Sequence, residues 1–248
     1  MTMSVTLLVY IACVYLVAGY VKGVVGLGLP TISLALLAAV LGLKEAMVVL
    51  LVPSFVTNVV QAVAGGGLLT LTRRLWTFLL LLCVCTWISA GILARVDSDV
   101  FAIGLGIILI IYSGLSLMRA QITAPGKREA WLGPLMGAFT GISTGLTGTF
   151  VVPGVLYLQS LNLGKKDLVQ AMGLCFTVAT LALGISLENH GIFKADLAVV
   201  SCAMVVPALI GMAVGVKVRG KIDEFLFRRI FFIALLGVGI WIVIAATI

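Results

Sequence analysis

The sequence predicts an all-α protein that crosses a membrane many times and consists of two related halves of opposite orientation. Three observations carry this expectation. Of the 248 residues 62% are hydrophobic and only 10% are charged, with a mean hydropathy of +1.28. A soluble domain of this length has too little interior for so much apolar surface, so lipid must be the solvent for most of it. Apolar runs of spanning or near-spanning length recur from end to end with short polar breaks, leaving no room for a soluble domain. The second half also repeats features of the first in the same order.

In chain order, helices are expected near 4–22, 27–42, 45–64, 75–94 and 100–118, then a polar linker, QITAPGKREA, over 121–130. A second set follows near 131–145, 148–161, 167–187, 196–217 and 225–246. The first run is not preceded by a basic residue, so it is expected to be retained and not cleaved as a secretory signal. The organisation predicted is a first repeat over 1–120, a cytoplasmic linker and a second, inverted repeat over 131–248. Gly19 and Gly23 precede Gly137 and Gly141 by 118 positions, and Lys44 and Glu45 precede Lys166 and Asp167 by 122. AGILARVDSDVF at 90–101 matches VGVKVRGKIDEF at 214–225 in Gly, Arg, Asp and Phe.

The net charge of +7 comes from basic residues scattered singly and in pairs, without an arginine-rich face or an aromatic platform, which argues against nucleic acid as a partner. Topology accounts for them better. With ten segments, one side collects Lys22, Arg73, Arg74, Arg119, Lys127, Arg128, Lys165, Lys166, Lys217, Arg219, Lys221, Arg228 and Arg229, and the other only Lys44, Arg95 and Lys194. Thirteen against three is a positive-inside pattern that puts both termini outside the cytoplasm. Five segments per half is odd, so the second half enters the bilayer upside down, as in many secondary transporters. Parity does not say whether the first two segments of each half span fully or are re-entrant, so eight to ten membrane segments are expected. The runs 131–145 and 148–161 reach roughly 21 Å as helix, short of a hydrocarbon core of about 30 Å.

The breaks within these pairs are the most unusual stretches of the chain. KGVVGLGLP, 22–30, joins the first two segments, and TGISTGLTGTFVVP, 140–153, is its counterpart in the second half. Inversion brings them in from opposite leaflets, so they can face each other at mid-membrane, where non-helical backbone survives only against protein or a water-filled cavity. Gly26, Gly28 and Gly148 let the chain reverse, and Pro30 and Pro153 suit helix starts because their missing N–H would be unsatisfied there. A helix start aimed into a cavity presents free N–H groups and the positive end of a macrodipole, which is an anion site. Lys22 adds a full charge, and Thr31, Thr144, Thr147 and Thr149 add hydroxyl donors. The competing readings are small-residue packing for the glycines, as at Gly19/Gly23, Gly137/Gly141/Gly145 and Gly211/Gly215, and snorkelling to the headgroups for Lys22.

KGVVGLGLPT, VPSFVTNVVQ, TGLTGTFVVPGVLYLQSL and KKDLVQAMGLCFT resemble the hinge and following-helix motifs of the TauE/SafE family, called after sulfite exporters and also described as permeases of sulfur compounds or organic anions. The resemblance runs from about residue 6 to 246. It implies a bacterial inner-membrane carrier of sulfite, sulfonates or related small anions, a substrate class that hydropathy and spacing do not supply. GLGLP stands where many relatives have a longer glycine run, so fine specificity does not carry over.

Asn58 and Gln61 lie at i and i+3 on one helix face below Pro53, Gln159 follows Pro153, and Gln170 opens the next helix. An amide in lipid needs a partner, and its NH2 can hold an oxyanion without a second buried charge; interhelical hydrogen bonding is the alternative. The resemblance supports Asn58 and Gln61 as site candidates. Tyr157 either donates its hydroxyl to the same cavity or bonds backbone. The nine acids, Glu45, Asp97, Asp99, Glu129, Asp167, Glu188, Asp196, Asp223 and Glu224, fall at segment ends, which argues against a carboxylate proton relay. His190 reads as a solvated loop residue, and Cys13, Cys83, Cys85, Cys175 and Cys202 as small packing residues, not disulfides or metal ligands.

These readings favour a secondary anion transporter working by alternating access around the two hinges, with no cofactor, no metal, and a coupling ion (H+ or Na+) and oligomeric state left open. Outward movement of one negative charge from an inside-negative cell gains about 2.3 kcal/mol per 100 mV, which suits an exporter. An anion channel or an uptake permease for another small organic acid would use the same helix ends. An enzyme is disfavoured, because no Cys/His pair, carboxylate pair or metal cluster stands inside the apolar runs. A structural subunit would give no reason for a duplicated hinge.

Overall fold

The computed structural model describes residues 4–96, 98–118 and 123–246. Among them the chain is helical throughout, with α1 (Val5–Val25), α2 (Leu29–Leu41), α3 (Leu43–Val63), α4 (Leu68–Arg95) and α5 (Ser98–Leu117) in the first half. After a 3-10 turn at Gly126–Arg128, the second half forms α6 (Glu129–Thr147), α7 (Gly154–Ser160), α8 (Lys165–Asn189), α9 (Ala195–Ala203), α10 (Val205–Val218) and α11 (Glu224–Ala245). Seven of the described helical runs are long and apolar enough to cross a membrane: α1, α3, α4, α5, α8, α9 with α10 as one run over Ala195–Val218, and α11. The sequence-predicted residues 121, 122, Arg119 and Asp97, and the side chains of Asp99 and Glu224, lie outside what is described.

Helix ends follow local chemistry. The Ser4 hydroxyl accepts the Leu7 N–H at 3.3 Å to start α1, and the Asp223 carboxylate accepts the Phe225 and Leu226 N–H groups at 2.9 and 3.3 Å to start α11. Two expected segments change length. α6 runs over 19 residues, about 28 Å, and so approaches a full crossing, while α7 shrinks to seven because Gly148 turns left-handed and Thr149–Val151 is irregular. The predicted segment at 196–217 is interrupted at Met204.

The principal packing pairs join the two halves: α1 lies on α10, α4 on α6, α3 on α8 and α5 on α11. Exchanging corresponding segments of the halves maps this set of pairs onto itself. Glycines permit the two closest approaches. A methyl added at Gly23 would lie 2.8 Å from the Gly215 Cα, and one at Gly141 would lie 2.6 Å from the Leu82 carbonyl oxygen. Gly19, Gly23, Gly211 and Gly215 on one side, and Gly137, Gly141 and Gly145 on the other, are therefore helix-packing residues.

α3 is the most buried of the spanning helices. Pro53 inside it cannot donate to the Val49 carbonyl, and that carbonyl instead accepts the Tyr15 hydroxyl at 2.9 Å and the Ser201 hydroxyl at 2.8 Å. The missing helix bond thus becomes a tie between α1, α3 and α9.

Contacts also sort the helix ends. Arg74 at the start of α4 holds Glu129 at the start of α6 through two bonds of 2.7 and 2.8 Å and reaches the Leu161 carbonyl after α7. At the other end, Lys194 meets Glu45 at 2.9 Å and Lys44 meets the Val96 carbonyl. The Glu45 carboxylate raises the proton affinity of the Lys194 ammonium. Lys44, Arg95 and Lys194 thus share one end of the bundle, and Arg73, Arg74, Lys127, Arg128, Lys165, Lys166, Lys217 and Arg219 the other. Trp76 and Trp131, 60% and 57% exposed, sit at this basic end, as interfacial aromatics do.

Gln170 joins α8 to the α3–α4 turn: its Nε2 donates to the Ala62 carbonyl at 2.6 Å and its Oε1 accepts the Gly67 N–H at 2.9 Å. Gln170→Ala strands both backbone groups, and a loss of about 1–3 kcal/mol is expected, read as a lower unfolding temperature in detergent. Gln159→Ala on the exposed face of α7 is expected to change stability by less than about 0.5 kcal/mol. His190 is not a free loop residue. Its Nδ1 lies 2.7 Å from the Ser186 carbonyl, and its ring packs on Gly91 of α4. All five cysteines are free.

Candidate functional site

The first hinge is built by two glycines that take up left-handed backbone. Gly26, at φ +86°, ends α1 with its N–H on the Lys22 carbonyl at 2.7 Å, and Gly28, at φ +113°, begins α2. A side chain at either position would be strained. The carbonyls left open at the end of α1, Gly23 and Val24, accept the Arg219 Nε–H of α10 at 3.0 and 2.8 Å. No side chain caps Gly28, Pro30 occupies the first turn of α2, and Thr31 beside it is buried.

Lys22 lies one turn before this break and points into the protein. Its side chain is 1% exposed, so it does not snorkel to the headgroups. The Nζ donates to Thr57 Oγ1 at 3.1 Å and to Asn58 Oδ1, both on α3. Each acceptor is oriented by a further bond. The Thr57 hydroxyl proton goes to the Pro53 carbonyl at 2.8 Å, leaving a lone pair toward the lysine. The Asn58 NH2 donates to Ser54 Oγ at 3.1 Å, which turns its oxygen toward the lysine. The track continues from Ser54 to Thr180 of α8 at 3.4 Å, and Thr180 in turn donates to the Phe176 carbonyl. Gln61 uses both amide protons on backbone, the Gly26 carbonyl at 2.9 Å and the Val169 carbonyl at 2.7 Å, and its buried Oε1 has no partner.

As an ammonium with only neutral hydrogen-bond partners, Lys22 is an uncompensated buried charge, which either takes a counter-ion or gives up its proton. Two of its three N–H groups have acceptors, so a third is available to a negative group.

The second hinge is chemically different. Gly148, at φ +72°, closes α6 on the Thr144 carbonyl at 2.7 Å and packs against Leu34 of α2 and Met47 of α3. Thr144 and Thr147 donate back to the Thr140 and Ser143 carbonyls, both at 2.7 Å, so their protons are already engaged. Thr149 Oγ1 is buried with no partner. α7 has seven residues and follows Pro153, which has no N–H, so it offers a weaker positive end than the 13-residue α2. The two bends lie against α2 at Gly28 and Leu34, about 9 Å apart along the helix.

The structure therefore brings together Lys22, Gly26, Gly28, Asn58 and Gln61, with Pro30 and Thr31 on the following turn. Tyr157 stands apart, stacked on Phe78 at 5.4 Å and lining a cleft of about 340 Å³ beside Arg74 and Glu129 at the basic end. Gln159 is exposed, and Gln170 is engaged with backbone. Sequence reasoning missed Ser54 and Thr57. With Asn58 and Gln61 they form a polar stripe at i, i+3, i+4 and i+7, a helical face that periodicity alone would find. Arg219 and Thr180, contributed from distant segments, carry no such mark.

A profile of the sulfite exporter TauE/SafE family matches residues 11–242, which takes in both hinges and every residue of the Lys22 cluster. The chain belongs to the TauE/SafE family. It is thus a multi-pass membrane protein of a transport family and not an enzyme. Searches among curated proteins and among solved structures returned no match. The TauE/SafE match spans helices of both halves, and so covers the α1–α10 and α4–α6 pairs as well as the site. Among the described residues no cluster of histidine, cysteine or acidic side chains could hold a metal ion.

Proposed function

We propose that this chain is a carrier of small sulfur-containing anions, such as sulfite and sulfonates, across a bacterial inner membrane, with export as its working direction. The observation that supports this most is the buried Lys22 side chain, held by neutral partners in the last turn of α1, just before the break that precedes α2. An oxyanion there would take the third lysine N–H and the uncapped N–H groups of α2 together. The family description supports sulfite or a close analogue as the solute.

The mechanism proposed is alternating access between two inverted repeats, residues 1–120 and 131–248, joined by a cytoplasmic linker over 121–130. The exchange of helix pairs between the halves supports the repeat, and the concentration of basic residues at one end supports a cytoplasmic assignment for that end and periplasmic termini. Lys22 is closed off from solvent, so this conformation corresponds to an occluded state of such a cycle. The roles of Thr149, whose hydroxyl is free, and of Gln61 Oε1 would be to complete the solute's hydrogen bonds when the hinges move.

Purified protein in liposomes should move sulfite and methanesulfonate with saturating kinetics. No flux of any anion across a panel of sulfite, sulfonates and small carboxylates would refute the carrier reading, and rapid conductance without saturation would replace it with a channel.

A further inference from the structure

The geometry points to Lys22 as the coupling group of an electroneutral carrier: anion and proton enter the site together, the proton held on Nζ. This rests on the anion-carrier reading and adds the coupling ion to it.

Two features of the site carry the inference. Nζ meets two acceptors, Thr57 Oγ1 and Asn58 Oδ1, and both are oriented away from any other role by their bonds to Pro53 and Ser54. A neutral amine gives its two N–H groups to these two acceptors and is left with one lone pair. The ammonium has a third N–H, bonded to nothing among the described residues, and a full charge with no acidic side chain beside it. The second feature is charge. The empty site with a neutral amine and the filled site with an ammonium and a monoanion are both neutral overall. The two half-filled forms, ammonium alone and anion beside a neutral amine, each bury one uncompensated charge. Occlusion therefore favours the two neutral forms, which is the definition of one-to-one coupling. A carboxylate relay is not needed.

The other titratable groups on the surrounding elements are engaged or distant. On α1 itself, Tyr15 is bonded to Val49 and Tyr20 packs edge-on against Phe227. From α10, Arg219 is held by the Gly23 and Val24 carbonyls, and Lys217 is exposed. From α11, Arg228 sits over the Phe232 ring and Arg229 is exposed. On α3, Lys44 and Glu45 lie at the far end, bound to Val96 and Lys194. α2 has no titratable side chain, and from α8 Cys175 is turned toward Phe78 and Phe150 while Lys165, Lys166 and Asp167 stand in its first turn at the basic end.

No bond is made or broken in the cycle except at Nζ: water on the side of entry supplies a proton, and water on the side of exit receives it. The membrane potential drops out, and direction follows the combined anion and proton gradients, so an anion accumulating inside leaves with its proton once its outward gradient exceeds the inward proton gradient. One unit of pH difference balances about a tenfold anion gradient.

The test uses methanesulfonate, which stays anionic and so contributes no proton of its own. Calorimetric binding to the purified protein in two buffers of different ionisation enthalpy counts protons taken up. About one per anion is expected at mildly alkaline pH, with affinity falling about tenfold for each further pH unit. In liposomes, clamping the potential should leave the flux unchanged, while a pH gradient should drive it. Lys22→Arg, permanently charged, should bind without proton uptake and lose the pH dependence. Binding by the wild type with no proton uptake, or flux that follows the potential, overturns the coupling and leaves the carrier intact. Failure of any anion in the panel to bind or move overturns the carrier reading and the coupling with it.

Discussion

Lys22→Met is expected to cut anion transport about 100-fold without unfolding the protein. Methionine has nearly the length of the lysine stem and carries no charge, so it fills the space against α3 with apolar atoms. Two energetic consequences oppose each other. Replacing a buried ionisable amine by apolar atoms removes the cost of keeping it from water, and such replacements are often neutral to favourable. Leaving Thr57 Oγ1 and Asn58 Oδ1 without their donor costs about 1–3 kcal/mol. The unfolding temperature should therefore stay close to that of the wild type. Anion flux should fall about 100-fold, because a charge-assisted hydrogen bond contributes about 1.5–3 kcal/mol and the substitution also removes the charge that Nζ would present to the anion. The two readouts, thermal unfolding in detergent and liposome flux of sulfite, separate a binding role from a structural one. Undiminished flux with Met at this position would remove Lys22 from the site.

Gly211→Val is expected to have the largest effect on stability. A side chain at Gly211 would meet the Leu16 carbonyl and lie 2.8 Å from the Tyr20 amide nitrogen, both of them α1 backbone. Backbone in a helix cannot rotate away as a side chain can, so α1 and α10 must separate along their length. Overpacking of an ordinary core costs about 1–3 kcal/mol, and a contact against backbone belongs at or above the top of that range. Gly141→Val, facing the Leu82 carbonyl and Thr86 amide of α4, should behave alike. The control is Gly114→Ala on α5, where an added methyl meets nothing within 4 Å and the helix gains about 0.5–1 kcal/mol from alanine. Thermal unfolding that ranks all three variants equally would mean that the close helix pairs contribute little to the fold.

Hydropathy and the punctuation by glycine and proline were enough to order the helical segments, because a helix in lipid must satisfy its own backbone and its apolar length is set by the bilayer. The boundaries of α6 and α7 escaped for a related reason. An irregular apolar segment such as Thr149–Val151, covered by protein, has the same composition as a helix, and only the tertiary environment distinguishes them. Within the site, Lys22, Asn58 and Gln61 stand out in sequence as polar groups in apolar surroundings. Thr57 and Ser54 do not stand out singly, because serine and threonine in membrane helices commonly bond their own backbone, as Thr144 and Thr147 do here; only their spacing from Asn58 and Gln61 marks them. Arg219 comes from nearly 200 residues away, and no local pattern announces that it will close the end of α1. Tyr157 and Gln170 show the converse. Both are polar residues close to a hinge in sequence, yet the fold turns them toward Phe78 and toward the α3–α4 turn.

The glycine-lined pairs have a further meaning for the chain as a physical object. α1 rests on a helix synthesised almost 200 residues later, and α6 on one made earlier, so each tight pair contains one helix from each half. During insertion the opening helices must wait in the lipid, their small-residue grooves unfilled, until their distant partners arrive. Neither half holds both helices of a tight pair, so a cut through the linker would leave each piece without the close contacts that the other supplies.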